Sequence, residues 1–399
     1  MKNRLPLKLS VLVSLIFFIV SLLTLKNYGI NWDTINHLPR GQAYLHYFLT
    51  GNRNYSDLTL LFNGWQKKGQ WYFQDPDYLR IKTDLPNNKA LPRSMYQVED
   101  MNLDYFLQKD GDGHPPLSDI LSALFNEVLF RRLNLINDID SYRIYGVLLA
   151  SITVGIVFYW ISNLFNKTAG LVSALVLSTY PLYFAESHFN TEKDIPETAF
   201  WTLFMFSFWK GITTKNWKWI IATGVLFGLA LGTKLNIVFS VLVIGPWFLV
   251  YLFKGKGFWQ NILFFVKEKK VLLSLVLVPI IGLSIVFASW PYLWQDPLRG
   301  FFKMIGFYTT IGTTTVASQS LFSLNFFALK WILFTTPIVT LILVACGLIF
   351  YLFNFKKDKS GVVLLFTLWL IVPIARVTLP GSSIYGGVRQ IIEYIPAMA

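Results

Sequence analysis

LSVLVSLIFFIVSLLTL, residues 9–25, carries no charge and is long enough to cross a bilayer as a helix, which takes about 17–25 apolar residues. A basic start (Lys2, Arg4, Lys8) precedes it, as in a signal peptide. No small-residue cleavage site follows, and the run is longer than a signal core. It reads as a retained first helix. Lys26-Asn27-Tyr28-Gly29 ends it, and Asn31-Trp32-Asp33-Thr34 follows at once. An acid placed there sits at a membrane–water boundary, where it keeps its charge and still faces a cavity open to lipid. Asp33 is therefore the first candidate for a catalytic base.

The rest of the chain agrees with a membrane protein. Of 399 residues, 54% are hydrophobic and 14% charged, and the mean hydropathy is +0.48. The net charge of +13 does not point to nucleic acid, because many lysines lie in short loops between apolar runs, as orientation in a membrane requires. The single cysteine, Cys346, lies in an apolar run, so no internal disulfide exists within the sequence. There is no fixed-period repeat, GxGxxG, Walker A loop, HExxH, nucleophile elbow or His/Cys cluster with zinc spacing.

Helix 1 leads into a long polar segment, about 26–140. Within it, 117–136 (LSDILSALFNEVLFRRLNLI) repeats apolar residues at three- and four-residue spacing, broken by Asp119, Glu127, Arg131 and Arg132. That pattern predicts a helix along the membrane surface. Spanning helices are expected at about 142–164, 168–186, 196–213, 218–233, 236–253, 271–289, 325–353 and 361–379, with a last run from about 390 to the end. The expected fold is one all-α polytopic domain over 1–399. If each run crosses once, Lys167, Lys210, Lys215, Lys218, Lys254, Lys256, Lys267, Lys269, Lys270, Lys356, Lys357 and Lys359 share the face of the N-terminus. Short basic loops face the cytoplasm. The N-terminus is then inside, and the 26–140 segment is outside.

The outer face collects different residues: Glu186 to Asp194 (ESHFNTEKD), Lys234 and Asn236, Ser289 to Pro297 (SWPYLWQDP), and Pro380 to Arg389 (PGSSIYGGVR). Each has a plain and a functional reading. Asp33 suits a turn or a base. Asp194, just ahead of Pro196, suits a helix cap, but capping does not explain His188, Glu192 and Lys193 beside it. His114, before Pro115-Pro116, is a loop histidine or a ligand contact; the Asp110–Asp112 run ahead of it lacks a full calcium-loop pattern. Lys234 snorkels or binds phosphate. Arg389, after Gly386-Gly387, has a fork suited to phosphate oxygens. Trp290, Tyr292 and Trp294 form an interfacial belt or line a sugar or prenyl groove.

These stretches together resemble the GT-C membrane glycosyltransferases of the family-39-like branch. That branch includes dolichyl-phosphate-mannose–protein mannosyltransferases and lipid A aminoarabinose transferases. The matching pieces are Trp32-Asp33, His114-Pro115-Pro116-Leu117, Asn190…Lys193-Asp194-Ile195-Pro196 and Gly228-Leu229-Ala230…Thr233-Lys234. Two more are Trp290-Pro291-Tyr292-Leu293-Trp294…Asp296-Pro297 and Tyr385…Gly387-Val388-Arg389. They run in order over essentially the whole chain. Two features depart from the pattern: an acidic pair is here Asp33-Thr34, and the chain ends inside a helix where relatives continue. A fragment or an inactive relative is expected to show both.

The resemblance implies transfer of a hexose, mannose-like, from a polyprenyl-phosphate donor to a hydroxyl on a protein or glycolipid acceptor. Asp33 would be the base and Asp194 would support it. Lys234 and Arg389 would hold the phosphate, and His114, His188, Glu192, Lys193, Trp290, Trp294 and Tyr385 would complete the substrate site. Attack opposite the phosphate would invert the anomeric centre. No nucleotide site is needed. No cofactor is indicated, though a divalent cation at the phosphate is left open. The enzyme would sit in the plasma (inner) membrane with an extracytoplasmic site. The competing readings are a transporter, whose charges belong near the bilayer midplane, and an inactive scaffold for glycan assembly.

Overall fold

Long helices follow from the apolar runs, because in lipid each backbone polar group must be satisfied within its own segment. The computed structural model describes residues 5–58, 93–109, 114–254, 257–313, 320–321, 324–354, 358, 360–382, 384 and 386–399. Helix α1 is Leu5–Thr24, tightening into a turn at Leu25–Asn27. It buries Ser10, Phe17 and Ser21 and leaves most of its leucines and valines outward, as a lipid-facing helix does. It lies along the long helix α5, Asp138–Leu164. Small residues let the two meet: Ser14 Oγ donates to Ser151 O at 2.8 Å, and a Cβ on Gly155 would stand 2.9 Å from the Ser14 side chain.

The polar segment contains α2 (Thr34–Thr50), α3 (Leu103–Lys109) and α4 (Leu117–Asn126), the last winding on through Glu127–Arg132. Helix α2 was not expected. Its buried residues mix His37, Arg40, Gln42 and His46 with Ile35, Leu38, Ala43, Tyr44 and Leu45, so polar groups interrupt any apolar stripe. Helix α4 packs between α2 and α5. The approach of α2 to α4 needs glycine, since a Cβ on Gly41 would lie 2.2 Å from the Asp119 carbonyl oxygen.

Beyond α5 come α6 (Lys167–Thr179), α7 (Pro181–Phe189), α8 (Asp194–Thr214), α9 (Trp217–Leu231), α10 (Val241–Phe253, entered through a tight turn from Leu235), α11 (Phe258–Lys267) and α12 (Lys269–Ser289). Then follow α13 (Tyr292–Gln295), α14 (Pro297–Thr313), a two-stranded hairpin (Ser320–Leu321 with Leu324–Asn325), α15 (Phe327–Thr335), α16 (Ile338–Asn354), α17 (Val362–Thr378), a tight turn Gly387–Tyr394 and α18 (Ile395–Met398). Among the described residues four helices are long and apolar enough to cross a membrane, or six if each of two bent pairs counts as one span.

Two expected single spans are in fact broken. The 168–186 run bends by 59° between α6 and α7, and the 325–353 run by 113° between α15 and α16. Pro181 and Pro337 stand at the breaks, and a proline removes a backbone donor while pushing the residue before it out of helical geometry. The other expected spans match helices to within a few residues.

Helix α8 is buried along almost its whole length and fixes two ends of the molecule. At its last turn the lysine loops gather: Lys210 lies over the rings of Tyr159, Phe206 and Trp219, Lys215 is 3.7 Å from the Phe264 ring centre, and Lys254 donates to Asp358 O. At its first turn the acidic and histidine-bearing segments gather.

Candidate active site

The site is made where five segments of the chain meet at that first turn. Asp33 directly precedes α2, and its carbonyl accepts from Asn36 N at 3.0 Å and His37 N at 3.1 Å. The helix start thus fixes its backbone and leaves the carboxylate to turn toward Arg389, whose Nη1 is 2.9 Å from Asp33 Oδ2. Lys193 Nζ is 3.5 Å from the same oxygen. Arg389 sits in a tight turn made accessible by Gly387 at φ 69°. Its Nη1 also lies 3.7 Å from Asp194 Oδ2.

Asp194 is the pivot. Its Oδ1 takes Lys234 Nζ at 2.8 Å, and its Oδ2 takes Asn190 Nδ2 at 2.6 Å. Asp194 is not the N-cap, a position that Lys193 takes; its carboxylate is spent on Lys234 and Asn190. Lys234 Nζ also donates to Gln390 O at 3.0 Å, where Asn236 Nδ2 adds a bond of 2.9 Å. The end of α9 and the start of α10 are thereby tied to the turn that carries Arg389.

Electrostatics sorts these groups. Burial alone would raise the Asp33 carboxyl, but the charges of Lys193, His37 and Arg389 outweigh it and hold its pKa down at about 2. Burial opposes the charge on Lys234 as well, yet Asp194 and two further buried acids, Glu197 and Glu393, push its pKa up. Both are fully charged at neutral pH. His114 is the reverse case: burial, then the charges of Lys193, His37, Arg40 and Lys234, lower it well below the usual histidine range. It is a neutral ring, with Tyr308 Oη 3.3 Å from its Nδ1.

Glu192 points inward. Its Oε1 accepts from Asn31 Nδ2 at 2.9 Å and from Thr34 Oγ1 at 3.0 Å, and burial raises its pKa. Thr34, the residue at which the expected acidic pair is interrupted, is thus hydrogen-bonded to a carboxylate from another loop. His188 lies apart from the ion pairs. Its Nε2 is 2.9 Å from Thr24 Oγ1, its Nδ1 is 2.6 Å from Phe184 O, and it stacks on Tyr28 at 4.4 Å. In that position it pins the end of α1 to α7. Trp290 is fully buried. Trp294 Nε1 donates to Phe287 O at 2.6 Å, and its ring lies near Tyr47 and Phe48. Tyr385 lies outside the described residues.

Sequence reasoning missed two groups. One is His37, Arg40 and Asp119, joined in a buried ion cluster; the spacing of His37, one helical turn after Asp33, was the available signal. The other is Glu197 and Glu393, both buried without a hydrogen bond to their carboxylate oxygens. Arg376 Nη2 stands 3.6 Å from Glu393. Glu197 lay in an apolar run and gave no signal. Among the described residues no group of three or more His, Cys, Asp or Glu side chains is disposed to hold a metal.

Comparison with solved structures finds the same fold, a helical bundle with apolar spans. ArnT from Cupriavidus metallidurans bound to undecaprenyl phosphate superposes with a TM-score of 0.57 at 15% identity, over 99% of this chain and 59% of that one. Its apo state gives 0.54 at 14% identity, over 98% and 58%. The chain thus spans about 59% of the length of the structures it matches. The family model for dolichyl-phosphate-mannose-protein mannosyltransferase matches residues 113–290, a stretch that includes Asp194 and Lys234 but neither Asp33 nor Arg389. No curated protein matches the sequence.

Proposed function

We propose that this protein is a membrane glycosyltransferase that moves a sugar, a mannose-like hexose, from a polyprenyl-phosphate donor to an acceptor hydroxyl. The observation that carries the reading is the bridge of Arg389 between Asp33 and Asp194, with Lys234 on the far side of Asp194. Two cations are held at one end of the bundle by carboxylates, and a phosphate is the ligand that competes for them. The family match and the ArnT likeness favour the same donor class.

The charges suggest an order of events. With Arg389 and Lys193 on it, Asp33 is a weak base. An arriving phosphate draws Arg389 toward itself, since a guanidinium fork pairs well with phosphate oxygens. Asp33 loses its nearest partner, its basicity rises, and it takes the proton of the acceptor hydroxyl. The hydroxyl oxygen attacks the anomeric carbon opposite the leaving phosphate and inverts it. Arg389 and Lys234 then offset the charge that grows on the phosphate. Asp194 keeps Lys234 and Arg389 in register. The lysine-rich end of α8 belongs in the cytoplasm by the positive-inside rule, which puts the N-terminus inside and the site on the outer face of the plasma membrane. The acceptor is a hydroxyl on a protein or a glycolipid.

The test is the Asp33→Asn variant in membranes supplied with mannosyl undecaprenyl phosphate. Loss of the proton acceptor is expected to lower transfer by about 100-fold or more, with undecaprenyl phosphate still bound. Near-normal transfer by this variant would reject Asp33 as the base.

A further inference from the structure

A polar pocket stands away from the ion cluster, built on the other half of α2. Its volume is about 260 Å³, room for about nine water molecules at about 30 Å³ each, or for one sugar ring. His46, which lines it, comes thirteen residues after Asp33. That is about 20 Å along a helix rising about 1.5 Å per residue, so the pocket is separate from the transfer site.

One wall is made by an uncommon turn. Past Asn126 the helix α4 widens, and Leu133 N donates to Val128 O, five residues back, at 2.9 Å. In an α-helix the residue five places on lies about 140° round the axis from the first. In the widened turn Arg131 and Arg132 both flank Glu127: Arg131 Nη1 is 2.8 Å from Oε2, and Arg132 Nε is 2.9 Å from Oε1. One nitrogen of each guanidinium is thus used, and among the described residues no hydrogen bond takes up the other two. Such widened turns are rare, and many of them lie at functional sites. A further wall holds the pair of His46 and Asp57, with Nε2 2.9 Å from Oδ1. Gln42 and Gln97 also line the pocket, and both are buried, as are His46 and Glu127. Leu45, Leu49 and Leu58 supply apolar surface. Leu49 (52%) and the Arg132 side chain (65%) are exposed, and they mark the rim.

The lining favours a neutral ligand rich in hydroxyls. Two carboxylates, Asp57 and Glu127, balance two guanidiniums, Arg131 and Arg132. A phosphate would set its charge against both acids. A hydroxyl both donates and accepts, so neighbouring hydroxyls on one ring pair with guanidinium N–H groups and with carboxylate oxygens together. The C–H face of the ring then lies on the leucines. We propose that this pocket binds one neutral sugar unit of a glycan acceptor, and holds that glycan while another of its hydroxyls reaches Asp33. The proposal rests on the reading of the protein as a glycosyltransferase and deepens it. The acceptor becomes a glycan long enough to span about 20 Å.

Binding is tested without turnover. Full-length protein, in a detergent that has no sugar head group, is mixed with mannotriose, maltotriose or N-acetylchitotriose, and saturation-transfer NMR reads the ring protons. At least one trisaccharide is expected to receive saturation from the wild type, and equally from Asp33→Asn. Leu49→Trp fills the mouth and should abolish the effect. Arg132→Gln, at an exposed position that the fold does not depend on, should weaken affinity on the order of 10-fold. No saturation of any of the three sugars, or saturation that survives both variants, overturns the pocket. So does displacement of the sugar by inorganic phosphate at constant ionic strength, which makes it an anion site. The acceptor role is read from transfer of mannose from mannosyl undecaprenyl phosphate to the acceptors of native membranes. Leu49→Trp should lower this transfer severalfold, and an unchanged rate overturns the role. An active Asp33→Asn rejects the base instead and leaves the sugar pocket standing.

Discussion

At the scale of single residues, the site is a problem in sharing a few cations among several carboxylates. The depressed pKa of Asp33 gives a stability prediction with a definite sign. Its folded value of about 2 lies below the ordinary 3.8, so the ion pairs stabilise the fold above about pH 4, and that contribution is lost as pH falls through about 2. It is worth about 1–2 kcal/mol. Thermal unfolding in detergent should show Asp33→Asn below the wild type at pH 7, with the gap closing between pH 4 and pH 2. A gap that widens on acidification would contradict the assigned ion pairs. Asp33, Asp194, Lys234 and Arg389 were legible in the sequence, because charges at the ends of apolar runs stand out. Their pairing was not, since nothing in a sequence says which carboxylate reaches which cation. His37 was hidden for a different reason: its partner Asp119 is far away in sequence, and a lone histidine in a polar stretch carries no weight.

At the scale of elements, apolar runs announced most spans, while the breaks at Pro181 and Pro337 were visible as residues and misjudged in effect. Helix α2 was hard to read because its inner face interleaves apolar residues with polar groups that find partners only in three dimensions. Gln42 Nε2, for instance, reaches Asn126 Oδ1 at 2.9 Å and Tyr142 Oη at 2.5 Å. The contact of α2 with α4 is where this element is most exposed to damage. Gly41→Ala places a methyl against the Asp119 backbone, and overpacking of this kind costs about 1–3 kcal/mol. The variant should melt several degrees lower than the wild type, whereas Gly29→Ala, with nothing within 4 Å of its Cβ, should melt with it. Equal melting of the two variants would show that α2 and α4 can part at little cost.

For the whole molecule, the separation of lysine-bearing loops from the ion cluster along α8 is the feature on which the proposed orientation rests. In a Cys346→Ser background, an impermeant maleimide added to intact cells is expected to label Gln295→Cys. Lys215→Cys is expected to react only after permeabilisation. The reverse pattern would put the site in the cytoplasm and end the proposal of an external acceptor. The sequence predicts this sidedness from the basic residues between hydrophobic runs alone, and the labelling tests it.

The Arg389–Asp33 bridge joins segments far apart in the sequence, and this bears on how the protein is made. A ribosome delivers Asp33 to the membrane well before Arg389. Until then the aspartate lacks its nearest counter-charge, and the pocket cannot close. A product of premature termination before Arg389 would insert as helices yet carry an acid with no arginine to meet it, and quality-control proteases that sample loosely held segments would find it there.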